Sequence, residues 1–566
     1  MDLNTKKHWN HMVTKIGKHL LQAAIILLPL FCSAQTHKYF IQFTDKNNSA
    51  YSVSNPSAFL TARAINRRAA QGIAIDTNDL PVNQNYIDSV INKGAAVLTR
   101  SKWFNGVTIE ADLATLQDVL TLPFVQQSTQ LNRTPSSTGE LEKTNKFGMP
   151  FESNTNDLFR TQSYNYGPSY NQIHIMNGDF LHNAGYHGEG MVIALLDAGF
   201  FDANILPAFD SLFANNQILG TWDFVAGEAS VYEDYSHGMS VLSTIGGNIP
   251  GDLVGTAPKA SFWLLRTEDA ATEYIVEEYN WDAGAEFADS AGADIISTSL
   301  GYTTFNDPSE DHTYADMNGH TTPSARAANI AFSKGMLVIS SAGNEGSNPW
   351  HYISSPADGD SVIAVAAVDG SGDYASFSST GPSSDGDIKP NVAAVGQNTV
   401  ISNSDGSIGT GSGTSFACPV LAGSAACLWQ AHPTHSNRDI KDAIQQSASQ
   451  HLSPDSLLGY GIPNFLIADV LLGGTELNFS NTDKLVSIYP NPFIDQVQLK
   501  FYPASNQEIK IEVFDAFGKK ILEQSEETAG RVFNTIPLPL SQLRKGIYFV
   551  EVSSKENKFV RKIVKL

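Results

Sequence analysis

Five short apolar runs, each followed by a stretch with helical character, constrain the fold more than any other feature of this 566-residue chain. Continuous Val, Ile and Leu runs are typical of strands buried on both faces, as in parallel sheets covered by helices. The runs are 191–196, 261–265, 294–297, 336–340 and 362–368. The helices are predicted over 237–246, 271–290, 323–334, 416–430 and 437–449. This pattern predicts an α/β fold with a doubly wound parallel sheet within residues 172–472.

The two flanking regions have different patterns. Before the sheet, two strands and two helices are predicted, at 39–43, 57–72, 106–109 and 113–120, which indicates a small α+β unit. A polar stretch rich in Ser, Thr, Asn and Gly then indicates an exposed linker. After Gly473-Gly474 the helical pattern ends, and strands separated by turns predict a C-terminal β-sandwich.

The first 34 residues have the pattern of a targeting segment. Four lysines come before an apolar run from Leu20 to Phe31, and Cys32-Ser33-Ala34 follows it. This order predicts a cleavable secretory signal. A twelve-residue helix extends only about 18 Å against a hydrocarbon core of about 30 Å, so a permanent anchor is disfavoured. Lipidation of Cys32 is disfavoured by the bulky Phe31 before it.

Charge and cysteine content exclude further classes. Residues 146–485 carry 10 basic and 39 acidic side chains, a net charge of −29, whereas the whole chain has −22. Such a region repels phosphate backbones and anionic lipids, so nucleic-acid and membrane-surface partners are disfavoured. If Cys418 and Cys427 share a helix, they lie about 13 Å apart, which is too far for a disulfide.

Three polar residues stand at element ends where chemistry could occur. Asp197 ends the first apolar run, His237 begins a predicted helix, and Ser415 begins another behind a Gly-rich turn. Each alone is most simply a helix cap or a turn residue. Together they supply a hydroxyl nucleophile, an imidazole base and a carboxylate that orients the imidazole, as acyl transfer requires. The helix start at Ser415 also presents its backbone N–H to a developing oxyanion.

Two other hydrolase classes fit less well. An α/β-hydrolase would place the serine before its partners within G-x-S-x-G, whereas Gly413-Thr414-Ser415-Phe416-Ala417 ends in Ala and comes last. A metal hydrolase is disfavoured because the sequence has no H-E-x-x-H motif, and His432 and His435 flank Pro433 where a helix ends.

Residues from about 172 to 470 resemble the subtilisin-like serine proteases, or subtilases. The serine segment matches the family motif G-T-S-x-A-x-P, and Asp, His and Ser occur in the family's order. Ser341-Ala342-Gly343-Asn344 resembles the family's oxyanion loop, which implies that Asn344 is the second oxyanion donor. The histidine motif reads S-H-G-M-S instead of G-H-G-T-H, and Cys418-Pro419-Val420 replaces Ser-Pro-His. These departures leave the substrate preference and the role of Cys418 open.

The resemblance also implies a primary substrate pocket and calcium chemistry. The implied pocket residues are small or apolar, and they are Ser299, Leu300, Gly301, Ala342, Gly343 and Ser354. No cofactor is expected for catalysis. Structural calcium, which the family often binds, stays open, because the many acids offer ligands but no loop has the D-x-[DN]-x-[DN]-G-x₅-E spacing.

Both flanking units resemble known companions of this fold. Residues 103–109 and the helix 113–120 resemble a subtilase propeptide, an inhibitor and folding assistant. The segments 487–493 and 545–548 and the basic end 561–565 resemble the sorting domain of the type IX secretion system of some Gram-negative bacteria. A generic carbohydrate-binding or adhesive sandwich is the alternative for the last unit.

The sequence therefore predicts a secreted serine endopeptidase made as a zymogen. The expected units are a signal peptide, an inhibitory propeptide, a linker, the peptidase domain, a second linker and the sorting domain, at 1–34, 35–145, 146–171, 172–472, 473–485 and 486–566. Expected partners are protein or peptide substrates, its own propeptide and the type IX machinery, with the chain acting as a monomer. The expected location is the cell surface or medium, reached through the periplasm. The alternative is a non-catalytic surface adhesin on the same scaffold.

Overall fold

A computed structural model describes residues 35–132, 164–473, 484–489, 491–503, 505–530, 534–555 and 557–566. The predicted signal peptide and most of both predicted linkers lie outside these residues. Within the described segments, no helix has the length and apolar character needed to cross a membrane.

The N-terminal unit is a four-stranded antiparallel sheet with helices, in strand order β2-β3-β1-β4. Its elements are β1 (His37–Phe43), α1 (Ala62–Ala70), α2 (Gln84–Asn92), β2 (Ala96–Ser101), β3 (Gly106–Ala111), α3 (Leu113–Leu120) and β4 (Val125–Gln130). The predicted α+β unit is observed, but its first helix is shorter than 57–72. It begins after Thr61, whose side chain accepts a hydrogen bond from Ala64 N and caps the helix.

The central unit contains a seven-stranded parallel sheet in the order β13-β12-β11-β10-β5-β9-β6. Its first elements are α4 (Tyr170–His174), α5 (Asp179–Asn183), β5 (Val192–Asp197), α6 (Asp210–Ala214), β6 (Ile218–Asp223), α7 (His237–Gly246), β7 (Asn248–Ile249), β8 (Leu253–Val254), β9 (Ser261–Arg266) and α8 (Val276–Ala291). The others are β10 (Ile295–Thr298), α9 (Pro323–Ser333), β11 (Leu337–Ser341), β12 (Ile363–Val368), β13 (Val392–Val395), β14 (Thr399–Ser402), β15 (Ile408–Gly411), α10 (Thr414–Ala431), α11 (Asn437–Gln446) and α12 (Phe465–Leu471).

The predicted α/β class is confirmed, and all five apolar runs become strands of this sheet. The strands β5 and β10–β13 are buried along their whole length, as continuous apolar runs require. Two sheet strands were missed. The edge strand β6 is half-exposed and β13 has four residues, so neither forms a long apolar run. The helix α8 begins at Val276 and not at 271, because Asp269 accepts bonds from Ala271 N and the Thr272 hydroxyl in a turn.

The C-terminal unit is a sandwich of two antiparallel sheets, β16-β17-β20 and β19-β18-β21-β22. Its strands are β16 (Lys484–Tyr489), β17 (Gln496–Tyr502), β18 (Gln507–Asp515), β19 (Lys520–Thr528), β20 (Asn534–Pro539), β21 (Gly546–Ser553) and β22 (Lys558–Lys565). Residues of both sheets share one apolar core, including Val497, Leu538, Ile511 and Val550. The predicted β-sandwich is therefore observed.

Candidate active site

Asp197 lies at the carboxyl edge of the sheet because it is the last residue of the interior strand β5. This edge is where ligands bind in doubly wound sheets. The side chain is buried, and its Oδ1 accepts a hydrogen bond from Ala198 N at 2.8 Å. A carboxylate is thus fixed in place where the strand ends.

His237 is the first residue of α7, and its ring contacts the Asp197 carboxylate directly. The His237 Nδ1 donates to Asp197 Oδ1 at 2.8 Å, and the two side chains are only 2% and 1% exposed. A buried carboxylate at this nitrogen holds the proton on Nδ1, which leaves Nε2 able to accept one.

The close approach of α7 to β5 depends on Gly238. A Cβ at Gly238 would lie 2.6 Å from Gly199 O and 2.8 Å from Asp197 Cβ, closer than such atoms approach in proteins. Gly199 is also necessary, since its φ of 144° is unfavourable for other residues and its own Cβ would lie 2.7 Å from Tyr235 N. These two glycines bring His237 within hydrogen-bond distance of Asp197.

We expect Gly238→Ala to lower kcat by about 10²-fold, because the added methyl group would push α7 away from Asp197 and displace the imidazole. Steady-state kinetics on a peptide p-nitroanilide would measure the change, with circular dichroism as the check on folding. An unchanged kcat in a folded variant would show that catalysis does not depend on the close contact between α7 and β5.

Ser415 lies in the first turn of α10, a helix that packs against α7. The ring of its neighbour Phe416 is 6.2 Å from the His237 ring, measured between centroids. The Ser415 hydroxyl donates to Ser299 O at 3.3 Å, and the Ser299 hydroxyl donates to Ser415 O at 2.8 Å. Because Ser299 follows β10, these bonds attach the start of α10 to the edge of the sheet near Asp197.

Asn344 is held next to Ser415 by Thr414, a residue that the sequence analysis did not single out. The Asn344 Oδ1 accepts from both Thr414 N and Thr414 Oγ1 at 2.9 Å, which orients Nδ2 as the remaining donor. A Cβ at Gly413 would lie 3.6 Å from Asn344 Nδ2 and 3.7 Å from Ser415 N. The nitrogen atoms of both expected oxyanion donors therefore lie near Gly413. Thr414 belongs to the G-T-S motif, so its motif position could have identified it.

The implied pocket residues lie close together beside this site. Ser354 N donates to Ala342 O at 3.2 Å, and the Ser341 hydroxyl donates to Leu300 O at 3.3 Å. A Cβ at Gly301 would overlap the Ser354 hydroxyl, and one at Gly343 would lie 3.0 Å from it. Ser354 Oγ is buried and has no hydrogen-bond partner among the described residues. Gly301, Gly343 and Ser354 are therefore packed closely against one another.

Cys418 is a packing residue and has no thiolate chemistry. Its side chain is fully buried, and Sγ lies 3.4 Å from both Thr298 O and Ile339 O, either of which can accept its single proton. Burial raises the pKa of this thiol to about 12, so it stays protonated and unreactive at neutral pH. Cys427 is also free and buried on the same helix. The two cysteines lie on the same helix, nine residues apart, which separates them too far for a disulfide.

Two groups of side chains among the described residues could hold a cation. The potential ligand atoms of Glu268, Glu273 and Glu277 lie within 4.8 Å of one another, and so do those of His320, Asp360 and Asp385. The first group is more buried, and Glu268 also accepts a hydrogen bond from the Tyr302 hydroxyl at 2.9 Å. Carboxylate oxygens are the ligands that calcium prefers, so the first group fits that ion chemically.

Comparison with known proteins identifies all three units. Residues 188–461 match the subtilase family, residues 38–146 the Bacteroidota propeptide domain of S8 peptidases, and residues 487–566 a secretion system C-terminal sorting domain. A propeptide before a peptidase and a sorting domain after it are the organisation of a secreted zymogen. The sorting domain indicates secretion and surface attachment in Bacteroidota.

Curated relatives cover the catalytic part of the chain. Subtilisin E of Bacillus subtilis (strain 168) is 32% identical over 288 residues, which is 50% of this chain and 67% of the relative. The subtilisin of Bacillus pumilus is 31% identical over 288 residues, 50% of this chain and 92% of the relative. The thermostable alkaline protease of Halalkalibacterium halodurans is 31% identical over 291 residues, covering 51% and 70% of the two chains. By these matches, the chain belongs to the subtilase family of serine endopeptidases.

Proposed function

We propose that Ser415 is the nucleophile of this endopeptidase, His237 its general base and acid, and Asp197 the residue that orients His237. The observation that carries the assignment is the buried 2.8 Å hydrogen bond between His237 Nδ1 and Asp197 Oδ1, with Ser415 at the adjacent helix start. A carboxylate, an imidazole and a hydroxyl in this order perform acyl transfer in serine proteases.

In the first half of the reaction, Ser415 Oγ attacks the peptide carbonyl carbon and its proton passes to His237 Nε2. The imidazolium keeps its Nδ1 proton on Asp197. The negative charge on the carbonyl oxygen is stabilised by Ser415 N–H and Asn344 Nδ2, whose nitrogen atoms both lie near Gly413. The C–N bond then breaks, His237 donates its proton to the leaving amine, and an acyl-enzyme remains.

In the second half, a water molecule attacks the acyl carbon and gives a proton to His237. The ester bond to Ser415 Oγ breaks, and His237 returns the proton to that oxygen. An activated ester substrate tests this two-step scheme, because acylation is fast and deacylation slow for such substrates. We expect a burst of about one equivalent of alcohol per enzyme before the steady state, and a chain with Asp197→Asn should show none on the same time scale.

We propose that the primary pocket lies between Ser299–Gly301 and Ala342–Gly343, with Ser354 at its base. The supporting observation is the buried Ser354 hydroxyl, which a Cβ at Gly301 would overlap and which lies 3.0 Å from a Cβ at Gly343. This hydroxyl shortens the pocket, so we infer a preference for small or medium side chains before the cleaved bond.

Removing this hydroxyl should change the substrate preference. We expect Ser354→Gly to raise the ratio of kcat/KM for Phe over Ala at that substrate position by about tenfold or more, since it adds room for apolar atoms. Kinetics on two peptide substrates that differ only at this position would measure the ratio. The same ratio in Ser333→Ala, which changes an exposed serine on α9, should equal that of the parent chain. An unchanged ratio in Ser354→Gly would place the pocket elsewhere.

We propose the remaining features as follows. The propeptide occupies residues 35–145 and the peptidase domain 172–472, joined by a linker at 146–171, and 473–485 link to the sorting domain at 486–566. The chain passes through the periplasm and acts as a monomer. It has no nucleic-acid partners, because its strongly acidic peptidase region repels phosphate backbones. Catalysis needs no cofactor. Calcium at Glu268, Glu273 and Glu277 would stabilise the fold and take no part in the reaction.

The adhesin alternative has no support from the comparisons. The named relatives are subtilisins and an alkaline protease. The chain also carries the three side chains that we propose for the reaction, Asp197, His237 and Ser415. Peptidase activity therefore remains the function that the site supports best.

A further inference from the structure

The helix α8 carries three acidic residues beneath the N-terminal unit, which the comparisons match to a propeptide. Asp282, Glu286 and Asp289 are spaced four and three residues apart, so they lie along one side of the helix. All three side chains are buried. The propeptide contacts Asp289 with cations and Glu286 with neutral hydrogen-bond donors, and Asp282 has no hydrogen-bond partner among the described residues.

Asp289 is fully neutralised by propeptide cations. Arg67, Arg68 and Lys102 lie 2.6, 3.0 and 2.9 Å from its carboxylate. Although burial alone would raise its pKa, Lys102 and the two arginines hold the pKa of Asp289 far below its usual range. This carboxylate is charged at every pH in which the enzyme would work. Asp79 of the propeptide completes the network by pairing with Arg68 at 2.8 Å.

Glu286 accepts three hydrogen bonds from the propeptide at a buried position. The bonds come from Lys102 N at 2.8 Å, Trp103 N at 2.7 Å and the Ser101 hydroxyl at 3.0 Å. Burial raises the pKa of Glu286 to about 7, even though Lys102 and these bonds act in the opposite direction. Lys46 of the propeptide also faces this carboxyl, and burial lowers the pKa of that lysine to about 8.

Asp282 has fewer stabilising contacts for a negative charge than Glu286 has. Neither of its carboxyl oxygens has a hydrogen-bond partner among the described residues, and the nearby Ser101 hydroxyl donates to Glu286 instead. Burial, followed by the charge of Glu286, raises the pKa of Asp282 well above its usual value, while Lys102 and Arg326 of α9 oppose the shift. The phenol of Tyr279 lies on the same helix and is itself shifted to a higher pKa by burial. The buried carboxyl therefore favours its protonated form.

We propose that Asp282 and Glu286 form a proton-dependent latch, which holds the propeptide on the catalytic domain tightly at acidic pH and loosely at neutral and alkaline pH. The inference rests on the proposed function only in taking the N-terminal unit as the propeptide of this peptidase. A rise in pH would then weaken the binding of that unit and release it from the catalytic domain.

The direction in which propeptide affinity changes with pH follows from the number of protons that each state binds. Propeptide release exposes carboxyls whose ordinary pKa values are 3.8 and 4.5, whereas the covered pair has raised values. The complex therefore binds more protons than the separated parts, and its stability is complete only below about pH 4. Affinity falls as the pH rises through the pKa of about 7 for covered Glu286. The Lys46 shift acts only above about pH 8, outside this interval.

The test uses the full chain with Ser415→Ala, which prevents self-digestion, and a recognition site for a specific protease inserted between residues 133 and 163. After cleavage at that site, the dissociation constant of the propeptide is read from the fraction bound in a dilution series at pH 5.5 and pH 8. We expect the constant to be at least about tenfold larger at pH 8, since one unit of pKa shift corresponds to tenfold. In the chain that also carries Asp282→Asn and Glu286→Gln, the ratio should approach one.

Asp289→Asn is the matched control on the same side of α8. Because Asp289 is charged at both pH values, its loss should weaken binding at each pH, and the ratio should remain above one. Equal constants at the two pH values in the Ser415→Ala chain would overturn the proposal. So would a ratio that persists in the Asp282→Asn, Glu286→Gln chain or disappears in Asp289→Asn. Peptide hydrolysis by the chain with Ser415 is measured separately, so a failed enzyme assignment and a failed latch give different results.

Discussion

Ser415→Ala should reduce kcat for peptide hydrolysis by about 10⁶ while leaving the fold intact. This value is the loss in kcat that follows removal of the nucleophile in subtilisin, and we expect a similar loss here. The hydroxyl is a small group at the start of α10, with one hydrogen bond to Ser299 O, so its removal costs little stability. Initial rates on a peptide substrate and thermal melting of the same purified protein would measure both effects.

Ser424→Ala provides the control for this variant. Ser424 is another buried serine of α10, and its hydroxyl donates to Val420 O within the helix, at 3.1 Å. This variant should hydrolyse peptides at close to the parent rate. Full activity in the purified Ser415→Ala protein would show that another residue is the nucleophile.

Deleting residues 485–566 should stop export of the protein and leave the peptidase nearly unchanged. The deleted strands have an apolar core of their own, so their removal should not open the catalytic domain. We expect the truncated protein to accumulate in the periplasm of its native host, with kcat/KM and the melting temperature of the catalytic domain close to those of the parent. Cell fractionation with immunodetection would locate it.

The matched control attaches residues 485–566 to an unrelated periplasmic protein, which should then be exported. Normal amounts of the truncated peptidase at the cell surface or in the medium would contradict the sorting role. Loss of peptidase activity on truncation would show instead that the sandwich supports the catalytic domain.

Sequence patterns predicted the buried part of the fold better than its edges. The five apolar runs became strands because parallel strands covered on both faces need apolar residues at every position. The strand β4 (Val125–Gln130) is polar and half-exposed, so its sequence carries no comparable signal. The start of α8 depends on side-chain bonds of Asp269 in a turn, which hydrophobic periodicity does not report.

The candidate site was predictable where its residues lie in short motifs. Asp197, His237, Ser415 and Asn344 all lie at the ends of predicted elements, and parallel strands bring such ends to one edge. The need for Gly238 was not visible, because it arises from the approach of α7 to the loop after β5. The latch was also hidden, since it depends on a propeptide surface more than 150 residues away along the chain that covers α8.

Labelling with a fluorophosphonate tests the central assignment most directly, because this reagent reacts with an activated serine and not with ordinary hydroxyls. The mature protein should gain a single adduct, which peptide mass spectrometry places on Ser415, and the His237→Ala variant should gain none. An adduct on a different residue, or no adduct on a preparation that cleaves peptides, would contradict the assignment of Ser415 as the nucleophile.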